Sequence, residues 1–131
     1  MTERIAAARD RTRAIIEAGL DPGSGSARCA EVLQLFAGIL GAEAGNMALT
    51  VLATGGIYLA GGIPPAIVPV LRAGPFLARL HNKGRLTPVV AAMPVSVVTG
   101  RAALVGAATA GFRQPESNVT AEVLGQGDPE V

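Results

Sequence analysis

"ATGGIYLAGGIPP", Ala53 to Pro65, sets two glycine pairs around a short apolar run. Glycine weakens helices and strands alike. Each pair therefore marks a turn, or a point where backbone must come close to something else. Thr54-Gly55-Gly56 reads as a helix stop, with a glycine free to take the left-handed C′ conformation. "IYLA" reads as a short buried strand, which Gly61-Gly62 ends. Pro64 and Pro65 suit the first turn of a following helix, where their missing N–H groups would be unpaired anyway. The strand–glycine–helix order has two readings. It is a tight turn, or it is a place where a nucleotide rests against bare backbone and a helix N-terminus. Local sequence leaves both open.

Upstream, Thr2 to Ala18 reads as one helix, broken by "GLDPGSGS". Ser24 or Ser26 can N-cap the next helix, which runs from Ala27 to about Ala53. Val32, Leu33, Phe36, Ile39, Leu40, Met47 and Val51 form a large apolar stripe at three- and four-residue steps. Ala37, Gly41, Ala44, Gly45 and Ala48 form a second stripe of small residues. Each interior glycine costs a helix roughly 1 kcal/mol against alanine, so this stripe implies another backbone packed closely against it. Downstream, "AIVPVLRAG" gives a short helix distorted by Pro69, and "PFLARLHNKGR" a second one closing at Gly84. "LTPVVAAMP" reads as irregular, Val95 to Val98 as a strand, and "RAALVGAATAGF" as a helix. From Arg113 the chain reads as a disordered tail. The order is α/β and helix-rich. Two strands make a poor sheet alone, so the sheet is incomplete and more of it is expected elsewhere.

Composition narrows the function. The chain has 131 residues, one histidine (His81) and three aspartates (Asp10, Asp21, Asp128), which leaves little for a hydrolase triad or a histidine metal site. A net charge of +1 and 3% aromatics give neither the field nor the stacking platforms for nucleic acid. Cys29 is the lone cysteine, so an internal disulfide and a multi-cysteine metal site are excluded. "MTERIAAARD" lacks the apolar stretch of a signal peptide, so a cytoplasmic location is expected and the Asn118-Val119-Thr120 sequon is read as unused. No charged residue occurs from Ala44 to Leu71, a run longer than the roughly 20 apolar residues of a membrane span. Gly41 and Gly45 also make a GxxxG pair. The glycine and proline pairs interrupt that run into pieces too short to cross, so no membrane partner is expected. Glu43 reads as a solvent-facing carboxylate and His81 as a solvated residue at a helix end. Lys83 and Arg85 complement a helix C-terminus, with phosphate contact as the sharper alternative.

The string "LQLFAGILGAEAGNMALTVLATGGIYLAGGIPPAIVPVL" strongly resembles the bacterial glucokinase family. "FLARLHNKGR" looks like that family's helix ending in Asp-Lys-Gly-Arg, with Asn82 in place of the aspartate. "MPVSVVTGRAALVGAA" is similar to its final strand and helix. The motifs agree in order and spacing over about residues 27–108, while residues 12–26 match loosely and the tail after Gly111 does not.

The resemblance implies an actin-like (ribonuclease H-like) ATPase fold of two α/β lobes. It implies transfer of the γ-phosphoryl of ATP, with Mg2+, to the 6-hydroxyl of glucose at the start of glycolysis. Residues 27–112 correspond to the C-terminal part of the large lobe, with 1–26 an N-terminal helix and loop and 113–131 a tail. Gly61 and Gly62 match the adenosine motif and are the nucleotide-binding candidates. Gly45 and Asn46, in "AEAGN", match the interdomain connecting helix and are candidate cleft or hinge positions. The family's phosphate loop, its catalytic aspartate and its glucose-holding Asn, Glu and His residues have no counterpart here. No catalytic residue and no metal ligand is assigned, and glucose would be held only by the missing part. The expectation is a fragment, a truncated gene product or a partial gene model, inactive alone and prone to self-association through an exposed sheet edge. The rival readings are a non-catalytic nucleotide-binding or partner-dependent module and, behind it, a small membrane protein.

Overall fold

The computed structural model describes residues 2–24, 26–100 and 102–113. The tail from residue 114, with its sequon, lies outside them. The described chain forms two compact units, divided between Gly100 and Arg101. In the first, α1 (Thr2–Ala7) and α2 (Arg11–Leu20) lead through a 3-10 turn at Pro22–Ser24 to the long α3 (Ala27–Thr50). Strand β1 (Ile57–Leu59) follows, then α4 (Ile63–Ala66), α5 (Val68–Arg72) and α6 (Pro75–His81). A 3-10 turn at Gly84–Leu86, α7 (Thr87–Ala91) and β2 (Val95–Val97) complete the unit. The second unit contains one described helix, α8 (Ala102–Arg113), which exposes Leu104, Val105 and Phe112.

The expected first helix is two. Asp10 interrupts it and N-caps α2, its Oδ1 accepting from the Arg13 N–H at 3.0 Å. Short polar side chains compete for backbone donors in this way and start helices rather than continue them. Ser26 occupies the N-cap position of α3, its carbonyl accepting from the N–H groups of Cys29 and Ala30. Pro69 divides the downstream helix as expected: α4 ends at Ala66, Ile67 caps both pieces, and α5 restarts at Val68 with proline in its first turn. "LTPVVAAMP" is not irregular, because Pro88 falls in the first turn of α7, where it costs no hydrogen bond.

The strands are parallel, with Ile57 opposite Val95, Tyr58 opposite Ser96 and Leu59 opposite Val97. Period-two alternation turns Ile57, Leu59, Val95 and Val97 toward the helices and leaves Tyr58 and Ser96 exposed. Two strands with an uncovered face agree with the partial α/β sheet expected from the sequence. The core beneath them is built from Leu33, Ile67, Leu71, Phe76, Leu80 and Val90, with Ile67, Leu80 and Val90 fully buried.

The small-residue stripe of α3 does what its composition implies. Ala37, Gly41, Gly45 and Ala48 are buried, and α6 packs on them. A Cβ at Gly41 would lie against the Phe76 carbonyl group, with the Phe76 Cα at 3.0 Å. A Cβ at Gly45 would sit 2.6 Å from the Leu80 carbonyl oxygen and against the stem of Lys83. The large apolar stripe is only partly internal. Leu33 is buried, whereas Val32, Ile39, Met47 and Val51 are exposed, so the contact face is centred on the small residues. The charge-free run 44–71 is split among the end of α3, β1, α4 and most of α5. By length and composition alone α3 could cross a membrane, but here its glycine face is committed to α6.

The helix stop differs from expectation. Leu52, not a glycine, takes the left-handed conformation, with φ +47°. The Ala53 N–H donates to Ala48 O at 2.9 Å and the Leu52 N–H to Leu49 O at 3.4 Å. That is a Schellman ending displaced toward the helix by several residues from Gly55-Gly56. Gly56 instead serves the sheet. Its φ is +114°, and a Cβ there would sit 3.1 Å from Pro94 O, beside the 2.8 Å bond from the Ile57 N–H to that same oxygen.

Two measurements check this packing. Leu52→Gly removes the left-handed strain at a side chain that is 58% exposed and should raise stability by about 0.5–1 kcal/mol in urea unfolding. Gly41→Ala should cost about 2–3 kcal/mol by forcing α3 and α6 apart. Gly38→Ala, whose new Cβ meets only the Arg79 stem at 3.7 Å, should be neutral or stabilising by up to about 1 kcal/mol.

Candidate functional site

Gly61 follows β1 with φ +114°, a backbone region that side chains rarely adopt. Gly62 is different: at φ −81° and ψ −29° it is in ordinary right-handed helical space and is the N-cap of α4. Nothing lies within 4 Å of a Cβ built at either position, and both residues are exposed. Gly61 is thus required by the turn. Gly62 is required neither by conformation nor by any neighbour within the described chain. A bare backbone of this kind can admit a flat ligand closely. The N-terminus of α4 adds little attraction, because the helix is a single turn and Pro64 and Pro65 bring no N–H.

The second pair of candidates sits on α3. Gly45 is buried and Asn46 is exposed. The bare surface of Gly45 is covered by Lys83, which comes after α6 in the chain and lays its side chain across α3. The Lys83 ammonium donates to the Ala42 carbonyl at 2.8 Å and to Asn46 Oδ1 at 2.6 Å. Lys83 therefore reaches a different helix from the one that precedes it, and two of its three donors are used. Sequence reasoning placed this lysine at its own helix end. The signal that would have found its role is the glycine at 45, which leaves room for a long side chain.

The loop carrying Lys83 is itself fixed. Thr87 Oγ1 donates to His81 O at 2.6 Å and accepts from the Lys83 N–H at 3.3 Å. His81 is the half-buried last residue of α6, and Arg85 and Glu43 are exposed. Two hollows lie elsewhere. One of about 450 Å³ runs between α3 and α6 past Leu35, Ile39, Pro75 and Arg79. The other, of about 330 Å³, lies under the sheet beside Leu59, Phe76, Val97 and Arg72. Neither includes Gly61 or Gly62. Among the described residues, no three His, Cys, Asp or Glu side chains come together as a metal site.

Comparison with known proteins fits the resemblance seen in the motifs. The chain is 42% identical over 107 residues to a glucokinase of Nostoc sp., covering 74% of this chain and 31% of that protein. It is 46% identical over 79 residues to a glucokinase of Synechocystis sp., covering 60% and 22%. A glucokinase of Chromobacterium violaceum is 42% identical over 91 residues, covering 63% and 26%. The chain thus spans about a third or less of the length of these relatives. No solved structure matches it. The family model described as glucokinase matches residues 1–114, and the chain belongs to the glucokinase family.

Proposed function

We propose that this chain supplies the adenosine side of the nucleotide cleft of a glucokinase, which transfers the γ-phosphoryl of ATP to the 6-hydroxyl of glucose. Residues 27–112 are then part of the large lobe of an actin-like ATPase, and β1 and β2 belong to a larger sheet. The reading places the protein in the cytoplasm, at the start of glycolysis. One observation carries the site. Gly62 has a conformation open to any residue and an empty surface beside it, yet it lacks a side chain. Gly55 shares both properties, and what sets Gly62 apart is its place in the turn between β1 and α4, where a nucleotide can pass against the backbone. Gly61 shapes the turn that exposes it; of the two α3 candidates only Asn46 is exposed enough to border a cleft, since Gly45 is covered by Lys83 and Leu80.

Catalysis requires more than this surface. Phosphoryl transfer depends on positioned phosphates, a metal ion and a base for the attacking hydroxyl. Magnesium supplies charge neutralisation on the phosphates when bound, and no residue here is assigned to it. The described acidic side chains do not converge on Gly61-Gly62 as a metal set. On this reading the chain binds the nucleoside end of ATP weakly and leaves glucose to residues it does not contain. The uncovered face of β1 and β2 and the exposed Val32, Ile39 and Met47 of α3 are where it would associate with itself when those parts are missing.

Titration of the chain with MgATP, monitored at the backbone amides of Gly61 and Gly62, tests the site. Saturable shifts at millimolar ATP are expected. Gly62→Val should weaken binding by at least about tenfold, or 1.4 kcal/mol, while Gly62→Ala stays within about 0.5 kcal/mol of the parent in stability. Unchanged ATP affinity in Gly62→Val would remove the proposal. In a coupled assay the pure chain should show no glucose-dependent ADP formation, and turnover would contradict the assignment of catalysis to residues outside it.

A further inference from the structure

Helix α3 has two contact faces, and only one is filled. Its small residues carry α6. On the opposite side Val32, Leu35 and Ile39 stand at steps of three and four residues and so share a face. They are 47%, 65% and 61% exposed. A row of large apolar side chains is more than the scattered exposure usual on a monomer. Beside the row lies the hollow between α3 and α6, where Gly38 and Ala42 leave a recess next to Leu35 and Ile39. A ridge next to a groove is the pair of shapes by which one helix packs on another.

Charge decides what fits there. Arg28 lies one turn before Val32 and Glu43 one turn after Ile39. Both are exposed, and neither is in an ion pair among the described residues. The row is thus symmetric about a point between Leu35 and Phe36, with opposite charges at its two ends. An antiparallel second α3, related by a twofold axis at that point, sets Arg28 of each copy level with Glu43 of the other. Val32 then meets Ile39, and the two Leu35 side chains flank the axis. Glu31 falls within a turn of Gly38 of the second copy, where the stem of the basic Arg79 lies. A parallel pair would oppose Arg28 to Arg28 and Glu43 to Glu43, which is repulsive. The same three charged residues of α3 make the face a poor one for lipid.

We propose that this face of α3 is the interface of a homodimer, in which two copies of α3 pair antiparallel and Leu35 of each enters the hollow between α3 and α6 of the other. The occupant is a second copy because the row is complementary to itself, as a twofold interface must be. A different polypeptide needs no such symmetry. The proposal stands apart from the nucleotide reading, since Gly61 and Gly62 lie on neither helix.

Sedimentation equilibrium of the full chain, from about 1 to 300 µM, should show monomer and dimer in exchange. Ile39→Glu should weaken the dimer at least about a hundredfold, because it puts two charges into the apolar row. Its urea midpoint at the lowest concentration should match the parent, since Ile39 is exposed. Arg28→Glu and Glu43→Arg should each weaken the dimer about tenfold, and the two together should restore it. A chain that stays monomeric throughout overturns the proposal and leaves the face to another segment of a longer polypeptide. A dimer that survives Ile39→Glu also overturns it and moves the contact to the strand edges. A dimer weakened by each charge reversal and not recovered by the exchange overturns the antiparallel twofold.

Discussion

Helix α3 can carry α6 only because Gly41 and Gly45 have no side chains. Backbone meets backbone at Phe76 and Leu80, and that short separation governs both the core and the candidate site. It brings Phe76 and Leu80 into the core under β1 and β2. It sets Lys83 within reach of Ala42 and Asn46. Two glycines in a helix interior lower its intrinsic stability by about 1 kcal/mol each. Close packing along the small-residue face offsets that loss through dispersion and burial, which grow with every atom brought into contact. The same GxxxG spacing that suggests helix pairing in a bilayer here serves an ordinary helix–helix contact.

Much of this fold is legible from residue types. The small stripe on α3 implies a close neighbour, the prolines mark helix starts, and "IYLA" and "VSVV" read as strands. The features that sequence does not reveal depend on long-range geometry or on small free-energy differences. Leu52 takes a conformation that glycine would adopt more readily, because α3 ends where its buried face ends and not where the glycines stand. Asp10 splits the first helix through a single side-chain bond, a competition that hydrophobic periodicity does not register. The exposure of Val32, Ile39 and Met47 is likewise hidden, since an apolar stripe looks the same whether or not its partner is present.

The two glycine pairs exchange parts of their expected roles. The first pair, read as a helix stop, contributes Gly56 as the point of closest approach between the turn and Pro94 at the start of β2. The backbone is bare at both glycines of the second pair and at Gly55 of the first. Within the second pair the residues differ: Gly61 answers to φ, and Gly62 to nothing in the described chain. On the candidate site, then, the sequence motif locates the turn, and the backbone geometry separates the glycine that φ requires from the one it does not.

The parallel register of β1 and β2 has a further consequence, for the order in which the chain folds. Parallel neighbours cannot zip from a hairpin turn. Their pairing waits until α4 to α7 have doubled back across α3, so its loop-closure entropy is met before any ladder bond forms. The clasp of Gly41 and Gly45 on Phe76 and Leu80 closes nearly as long a stretch of chain as the strand pair, so it carries a similar closure cost. Until both are closed the strand edges stand open to whatever strand arrives first, whether from the same polypeptide or from a neighbour.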